Sequence, residues 1–149
     1  MTSNMENKVA AITGGSSGIG LATAQVFLRT GAKVAICGRS QERLDEAAEG
    51  LAGISGKENV LAHSCDVLDE SAVGGFQVAV TERFGRCDAL VCNAGQARVS
   101  NFHTTSDQEW RDEFELKFFS VIRPVRAFAD ALEISGAGAI VCTSAGLAR

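Results

Sequence analysis

Lys8-Val-Ala-Ala-Ile-Thr13-Gly14-Gly-Ser-Ser-Gly18-Ile-Gly20 decides how this chain folds. Val9 to Ile12 is a short apolar run of the kind that makes a buried strand. Thr13 to Gly20 is a glycine-rich turn, and Leu21 to Thr30 is an amphipathic helical stretch. Strand, glycine turn and helix in that order build a cradle for phosphate. Glycines let the backbone turn sharply and let a ligand approach closely. The helix then aims free N–H groups and the positive end of its dipole at the ligand, which favours an anion there. A P-loop is the nearest competitor, and it fails: no Gly-Lys-Ser/Thr follows the glycines to grip a terminal phosphate and its magnesium.

The bulk properties narrow the classes further. A chain of 149 residues, 46% of them hydrophobic, suffices for one domain with a real core, burying about 70% of its unfolded surface. A net charge of −4 gives no signal for nucleic acid or a membrane surface. Met1 to Asn7 is polar and lacks the apolar core of a signal peptide. No apolar run approaches the ~20 residues of a membrane span. Cys37, Cys65, Cys87, Cys92 and Cys142 form no C-x-x-C pair, and most sit in or beside apolar runs. They read as buried reduced thiols of a cytoplasmic protein. His63 and His103 are not spaced with them, so no metal site is expected.

Four more strand-like runs follow the first. The reading places strands at Val9–Thr13, Lys33–Cys37, Asn59–Ser64, Asp88–Cys92 and Ala139–Thr143. Between them lie helices at Gly18–Thr30, from Ser40 until Gly50, Gly53 and Gly56 close it, from about Asp69 to Phe84, and from Ser106 or Asp107 to about Glu133. In the first helix Ile19, Ala22, Val26 and Phe27 recur at helical spacing. Leu44, Ala47, Ala48 and Leu51 make the stripe of the second, and Val73, Phe76, Val80 and Phe84 that of the third. Ser40 is a plausible N-cap, and Ser106 with Glu109 allows a capping box. Pro124 lies inside the last helix and should kink it or mark an irregular turn. In that helix Trp110, Phe114, Lys117 and Val121 recur at spacings of four, three and four, which puts Lys117 on an inward stripe, either snorkelling to a rim or serving a site.

Strands alternating with helices argue for an α/β fold, a doubly wound parallel sheet with helices on both faces. A ligand then sits beyond the C-terminal ends of the strands, where the strand order reverses. Every motif singled out falls there: Gly14–Gly20, Gly38-Arg39, Asp66-Val67, Asn93-Ala94-Gly95 and Ser144. A dinucleotide site often carries an acid about 20 residues past the glycines, on the ribose hydroxyls. Gly38 and Arg39 stand there instead. A guanidinium can take a 2′-phosphate in a fork, so NADP is preferred to NAD.

The spacing Thr13-Gly14-x-x-x-Gly18-x-Gly20 resembles the cofactor motif of the short-chain dehydrogenase/reductase family. Asp66-Val67 resembles that family's Asp-Val element beside the adenine. Asn93-Ala94-Gly95 resembles its Asn-Asn-Ala-Gly turn, with Cys92 in place of the first Asn. The resemblance covers Lys8 to Arg149. It implies a Rossmann-type sheet in the order 3-2-1-4-5, with strands 6 and 7 beyond the end of this sequence. It also implies an NADP site made by Gly14, Ser16, Ser17, Gly18, Ile19, Gly20, Arg39, Ser40, Asp66, Val67, Asn93, Ala94 and Gly95.

The family moves hydride between nicotinamide and a carbonyl carbon with Asn, Ser, Tyr and Lys. The Asn place falls on Lys117. The Ser place falls on Ser144 or, as the second of the family's pair, on Ala145. The chain holds no tyrosine. Two readings stay open. One is the cofactor-binding part of an NADP-preferring oxidoreductase acting on a small carbonyl, alcohol or enoyl substrate, working as a dimer or tetramer or with a C-terminal segment. The other is a catalytically divergent relative that binds a nucleotide as a sensor or interaction protein. A methyltransferase of similar fold is disfavoured by Arg39 and the glycine spacing.

Overall fold

The computed structural model describes residues 5–96 and 100–144. Five strands form one parallel sheet in the order β3-β2-β1-β4-β5: β1 Val9–Thr13, β2 Lys33–Gly38, β3 Val60–Ser64, β4 Ala89–Cys92 and β5 Ala139–Cys142. The connections run through α1 Gly18–Arg29, α2 Gln41–Ser55, α3 Glu70–Phe84, and a last pair, α4 Asp107–Phe114 and α5 Ser120–Ile134. A short 3₁₀ turn, Lys57–Asn59, leads into β3. The doubly wound fold and its strand order agree with the sequence reading.

Two apolar layers sandwich the sheet. On one face Val34, Ile36, Ile12 and Val91 meet Ala24 and Leu28 of α1 and Leu44, Ala47 and Leu51 of α2. On the other, Ala11, Ala35 and Leu90 meet Val73, Phe76 and Val80 of α3 and Phe128 and Leu132 of α5. Phe76 and Phe128 meet edge to face, centroids 5.6 Å apart, and both are fully buried. β1, between β2 and β4, is buried along its whole length, which is why it reads as a continuous apolar run rather than an alternating one. The caps follow the sequence: Ser40 Oγ accepts from Arg43 N, Asp69 Oδ1 from Ser71 N and Ala72 N, and Ser106 and Glu109 close a capping box.

Three expectations need correction. The first concerns α1, whose sheet-facing side is Gly20, Ala24 and Leu28, while Ile19 and Val26 are exposed. The cause is Gly20. A Cβ there would overlap the Gly14 carbonyl oxygen and stand 2.6 Å from Asn93 Nδ2, so this glycine must face β1 and it sets the rotation of the helix. The second concerns Pro124, which is buried within a continuous α5; the irregularity lies before it, in a π-helical segment at Glu115–Phe119.

The third correction follows from that segment. Lys117 does not point inward. The buried positions of this helical stretch are Glu113, Ser120, Pro124, Phe128 and Leu132. A plain α-helix would carry Lys117 on the face of Glu113, four residues on. The wider π turn swings it out, and the inner face resumes at Ser120. Phe114 and Phe118 stack at 5.4 Å on the outside, 57% and 54% exposed. Ile140 and Val141 of β5 are also exposed.

At the N-terminal edge of the sheet Asp88 is nearly buried. Its carboxylate accepts from Val9 N at 2.9 Å, from Arg86 Nε at 2.8 Å and from Lys8 Nζ at 3.3 Å. Burial pushes the Asp88 pKa up, but the Arg86, Val9 and Lys8 hydrogen bonds outweigh it and leave it below the usual carboxylate value. A depressed folded pKa stabilises the fold above the unfolded value of about 4, and that stability is lost as pH falls through the folded pKa. Asp88→Ala is expected to cost about 1.5–3 kcal/mol at pH 7. Thermal melts from pH 7 down to pH 2 check it: the gap between wild type and variant should close below about pH 4, and a constant gap refutes the ion-pair account.

Candidate functional site

The C-terminal ends of the strands open onto a cleft of about 720 Å³. One wall is the turn from β1 into α1. Gly18 has φ +54° and an added Cβ would meet nothing within 4 Å among the described residues, so the turn leaves open space in front of it. Behind this turn α1 begins without help. Its N-cap, Ser17, makes no side-chain cap bond, and its first turn carries no acid. The helices α2, α3 and α4 all have a side-chain cap and an acid in the first turn. The N–H groups of α1 therefore remain available at the cleft, at the positive end of its dipole.

The second wall comes from β2 and α2. Gly38, Arg39 and Ser40 line it, and Arg43, one turn into α2, joins them. The sequence reading missed Arg43, although a basic residue one helical turn beyond Arg39 was the available signal. The far end is formed by Asp66 and Val67 after β3. Asp66 Oδ1 accepts from Leu68 N at 3.0 Å, which shapes the turn, and Val67 is buried in the core.

The third wall is the turn after β4. Thr13 Oγ1, buried at the end of β1, accepts from Asn93 N and Ala94 N, both at 3.0 Å. Asn93 Nδ2 donates to the Gly14 carbonyl at 3.1 Å, and Thr143 Oγ1 donates to Asn93 Oδ1 at 3.2 Å. Asn93 thus joins the ends of β1, β4 and β5. Thr143 also escaped the sequence reading; nothing but its place beside Ser144 marked it.

Thiols lie beneath this floor. Cys37 is pushed well above its ordinary pKa by its hydrogen bond with Cys65 and by burial. Burial, then Cys142 beside it, pushes Cys92 up to about 12. Four of the five cysteines are buried as expected, but Cys142 is exposed.

The comparisons with known proteins agree with one another. The family model described as short chain dehydrogenase matches residues 8–149. The chain belongs to the short-chain dehydrogenase/reductase family. It is 32% identical over 140 residues to a 3alpha-hydroxysteroid dehydrogenase of Mediterraneibacter gnavus, covering 94% of this chain and 56% of that one. A short chain oxidoreductase of Pseudomonas aeruginosa, solved with NADPH and described as having an atypical catalytic center, is 49% identical with a TM-score of 0.87, over 91% of this chain and 52% of that one. L-sorbose reductase of Gluconobacter frateurii, solved with NADPH and L-sorbose, is 34% identical at the same TM-score of 0.87, over 95% and 54%. The chain spans about half the length of these relatives.

Set against the family pattern, the cleft gathers every residue expected at the cofactor except Gly20, which is buried behind the turn. The two expected catalytic residues are not brought to it. Lys117 is exposed, and its Nζ donates to the Gln96 carbonyl at 2.9 Å, tying the π segment to the stretch after β4. Ser144 is exposed at the end of the described residues and does not line the cleft. Asp112, Glu115 and Leu116 line it from the last helical pair instead. Ala145 and Arg149 lie outside the described residues. Among the described residues no group of three or more His, Cys, Asp or Glu could hold a metal ion, and no helix is long and apolar enough to cross a membrane.

The Thr13 hydroxyl makes the cleft dependent on one buried side chain. Thr13→Val keeps the shape and removes the acceptor of two backbone N–H groups. It is expected to lower stability by about 1–3 kcal/mol, read by urea unfolding. Asn93→Ala, which loses a half-buried amide, should cost less; the reverse order would show that Thr13 is not the anchor.

Proposed function

We propose that this chain is the cofactor-binding part of an NADP-preferring short-chain oxidoreductase, with residues 8–144 acting as one nucleotide-binding unit. One observation carries the reading: the uncapped start of α1 and the pair Arg39 and Arg43 face the same cleft, with no carboxylate from Lys33 to Ser40. Gly14, Ser16, Ser17, Gly18 and Ile19 border the space for a pyrophosphate, and Gly20 behind them allows the close packing. Arg39 and Ser40, with Arg43, are suited to a 2′-phosphate. Asp66 and Val67 flank the place for the adenine, and Asn93, Ala94 and Gly95 lie beneath the cofactor. The open space in front of Gly18, which no atom of the described residues fills, suits a bound group of this kind. When bound, NADP supplies the hydride chemistry. The chain's own residues bind and orient it. The relatives solved with NADPH support this reading.

Arg39→Asp replaces a charge-assisted contact with a repulsion. It is expected to weaken NADPH by more than roughly tenfold and to leave NADH equal or tighter. Calorimetric titration of both cofactors checks this, with Gly18→Val as the control in which both should be lost while the far-UV circular dichroism stays folded. Equal losses for both cofactors in Arg39→Asp would overturn the 2′-phosphate assignment.

The second reading, a catalytically divergent nucleotide-binding relative, is favoured by Lys117. At the family's Asn place it turns outward to Gln96 instead of supplying an amide at the cleft. The atypical catalytic center ascribed to the Pseudomonas relative is compatible with it. General acid catalysis typically contributes 10²–10⁴-fold, and this sequence has no tyrosine to provide it. The purified chain is therefore expected to bind NADPH without oxidising it in the presence of carbonyl substrates. It is also expected to self-associate through the exposed Phe114, Phe118 and Ile122 and the β5 edge. Light scattering combined with an NADPH-oxidation assay tests both. A monodisperse monomer that turns over would refute both.

A further inference from the structure

We propose that Cys92 and Cys142 form an oxidation site that closes as a disulfide across the β4–β5 pair and thereby weakens nucleotide binding in the adjoining cleft. The proposal rests first on register. Cys92 and Cys142 are direct partners in a parallel pairing, at the C-terminal ends of both strands. Neighbouring strands lie about 4.8 Å apart, inside the 4.4–6.8 Å that disulfides span between Cα atoms. Registered partners in a parallel pair carry their side chains on the same face of the sheet. The two thiols differ in access. Cys142 is exposed, whereas Cys92 is 3% exposed. The pair Cys37 and Cys65 is also close, but both are buried. Only Cys142 among the cysteines offers a hydroperoxide an open approach.

The step balances with hydrogen peroxide as the oxidant. The Cys142 thiolate attacks one peroxide oxygen, the O–O bond breaks, and the departing hydroxide takes up the Cys142 proton as water. Cys142 is then a sulfenic acid. The Cys92 sulfur displaces its hydroxyl group, which leaves as a second water with the Cys92 proton. Two thiols lose two electrons and one peroxide gains them. Cys92, buried and out of reach of the peroxide, enters only in the second step, against the sulfenic acid beside it in the rung.

The bond reaches the cleft through the turn that Cys92 begins. A disulfide most often holds its Cα atoms about 5.5–6 Å apart, so the strand ends move apart by about 1 Å from the sheet spacing. Thr143 N donates to the Cys92 carbonyl at 3.1 Å, and Thr143 Oγ1 holds Asn93. Asn93 in turn holds the Gly14 carbonyl. Movement at the Cys92–Cys142 rung therefore shifts the hydrogen bonds that keep the two cleft walls together.

The test treats the full chain with excess hydrogen peroxide and reads three things. Intact mass should fall by two hydrogens, and two of the five thiols should no longer react with a maleimide. Tryptic mapping should join the peptide spanning residues 87–98 to that spanning 127–149, and Cys92→Ala or Cys142→Ser should each abolish the link. NADPH titration should show affinity weakened roughly tenfold, the equivalent of a lost hydrogen bond or two, restored by dithiothreitol and unmoved by peroxide in Cys142→Ser. A link between other cysteines, or oxygen added to Cys142 without a link, would overturn the site. A link that leaves NADPH affinity unchanged would overturn the coupling. The mass readings do not depend on NADPH, so failure of the reduced chain to bind it would count against the proposed function alone.

Discussion

The hydroxyl of Thr13 is the pin on which the site turns. It lies buried at the end of β1, in register with Cys37 of β2, and it accepts two N–H groups from the turn after β4. A parallel sheet leaves the last backbone groups of each strand without ladder partners at its C-terminal edge. Those groups must find side chains or water. Here Thr13 and Asn93 provide them, and in doing so they draw the β1 and β4 turns into one wall. The glycine turn, the start of α1 and the β4 turn are a single construction. Gly20 belongs to it, because only an absent side chain lets α1 lie against the Gly14 carbonyl.

The opposite edge of the sheet is built for stability alone. Asp88 gathers Val9, Lys8 and Arg86 around one carboxylate, far from the cleft in the strand direction. The division is the usual one for open α/β sheets, in which the ligand sits beyond the carboxyl ends of the strands. It explains why a perturbed carboxylate can be structural here. Arg39 and Arg43 sit exposed at the rim of the cleft, and among the described residues neither makes an ion pair with a carboxylate.

The helical stretch from Asp107 to Ile134 is interrupted by the π segment Glu115–Phe119. Its π segment turns Lys117 away from the sheet, toward Gln96, and brings Asp112, Glu115 and Leu116 to the cleft. Arg123, beyond the segment, pairs with Glu115 at 2.9 Å and lies over the Phe119 ring. These contacts fix which residues of this stretch border the cleft.

By itself the sequence determined the sheet, its parallel sense and the edge at which the site lies. Those follow from periodicity, from glycine and capping chemistry, and from the position of each motif after a strand, all of which are local. It also marked Gly14 to Ile19, Arg39, Ser40, Asp66, Val67 and Asn93 to Gly95 as neighbours, because strand ends in a parallel sheet converge. What it left to the tertiary structure were rotations and pairings. The outward turn of Ile19 and Val26 depends on how closely Gly20 approaches the Gly14 carbonyl, across the β1 turn. The placing of Lys117 depends on a π turn that helical spacing cannot foresee. The rung between Cys92 and Cys142 depends on the register of two strands some fifty residues apart in the chain, and register is settled only when both strands bury their apolar faces together.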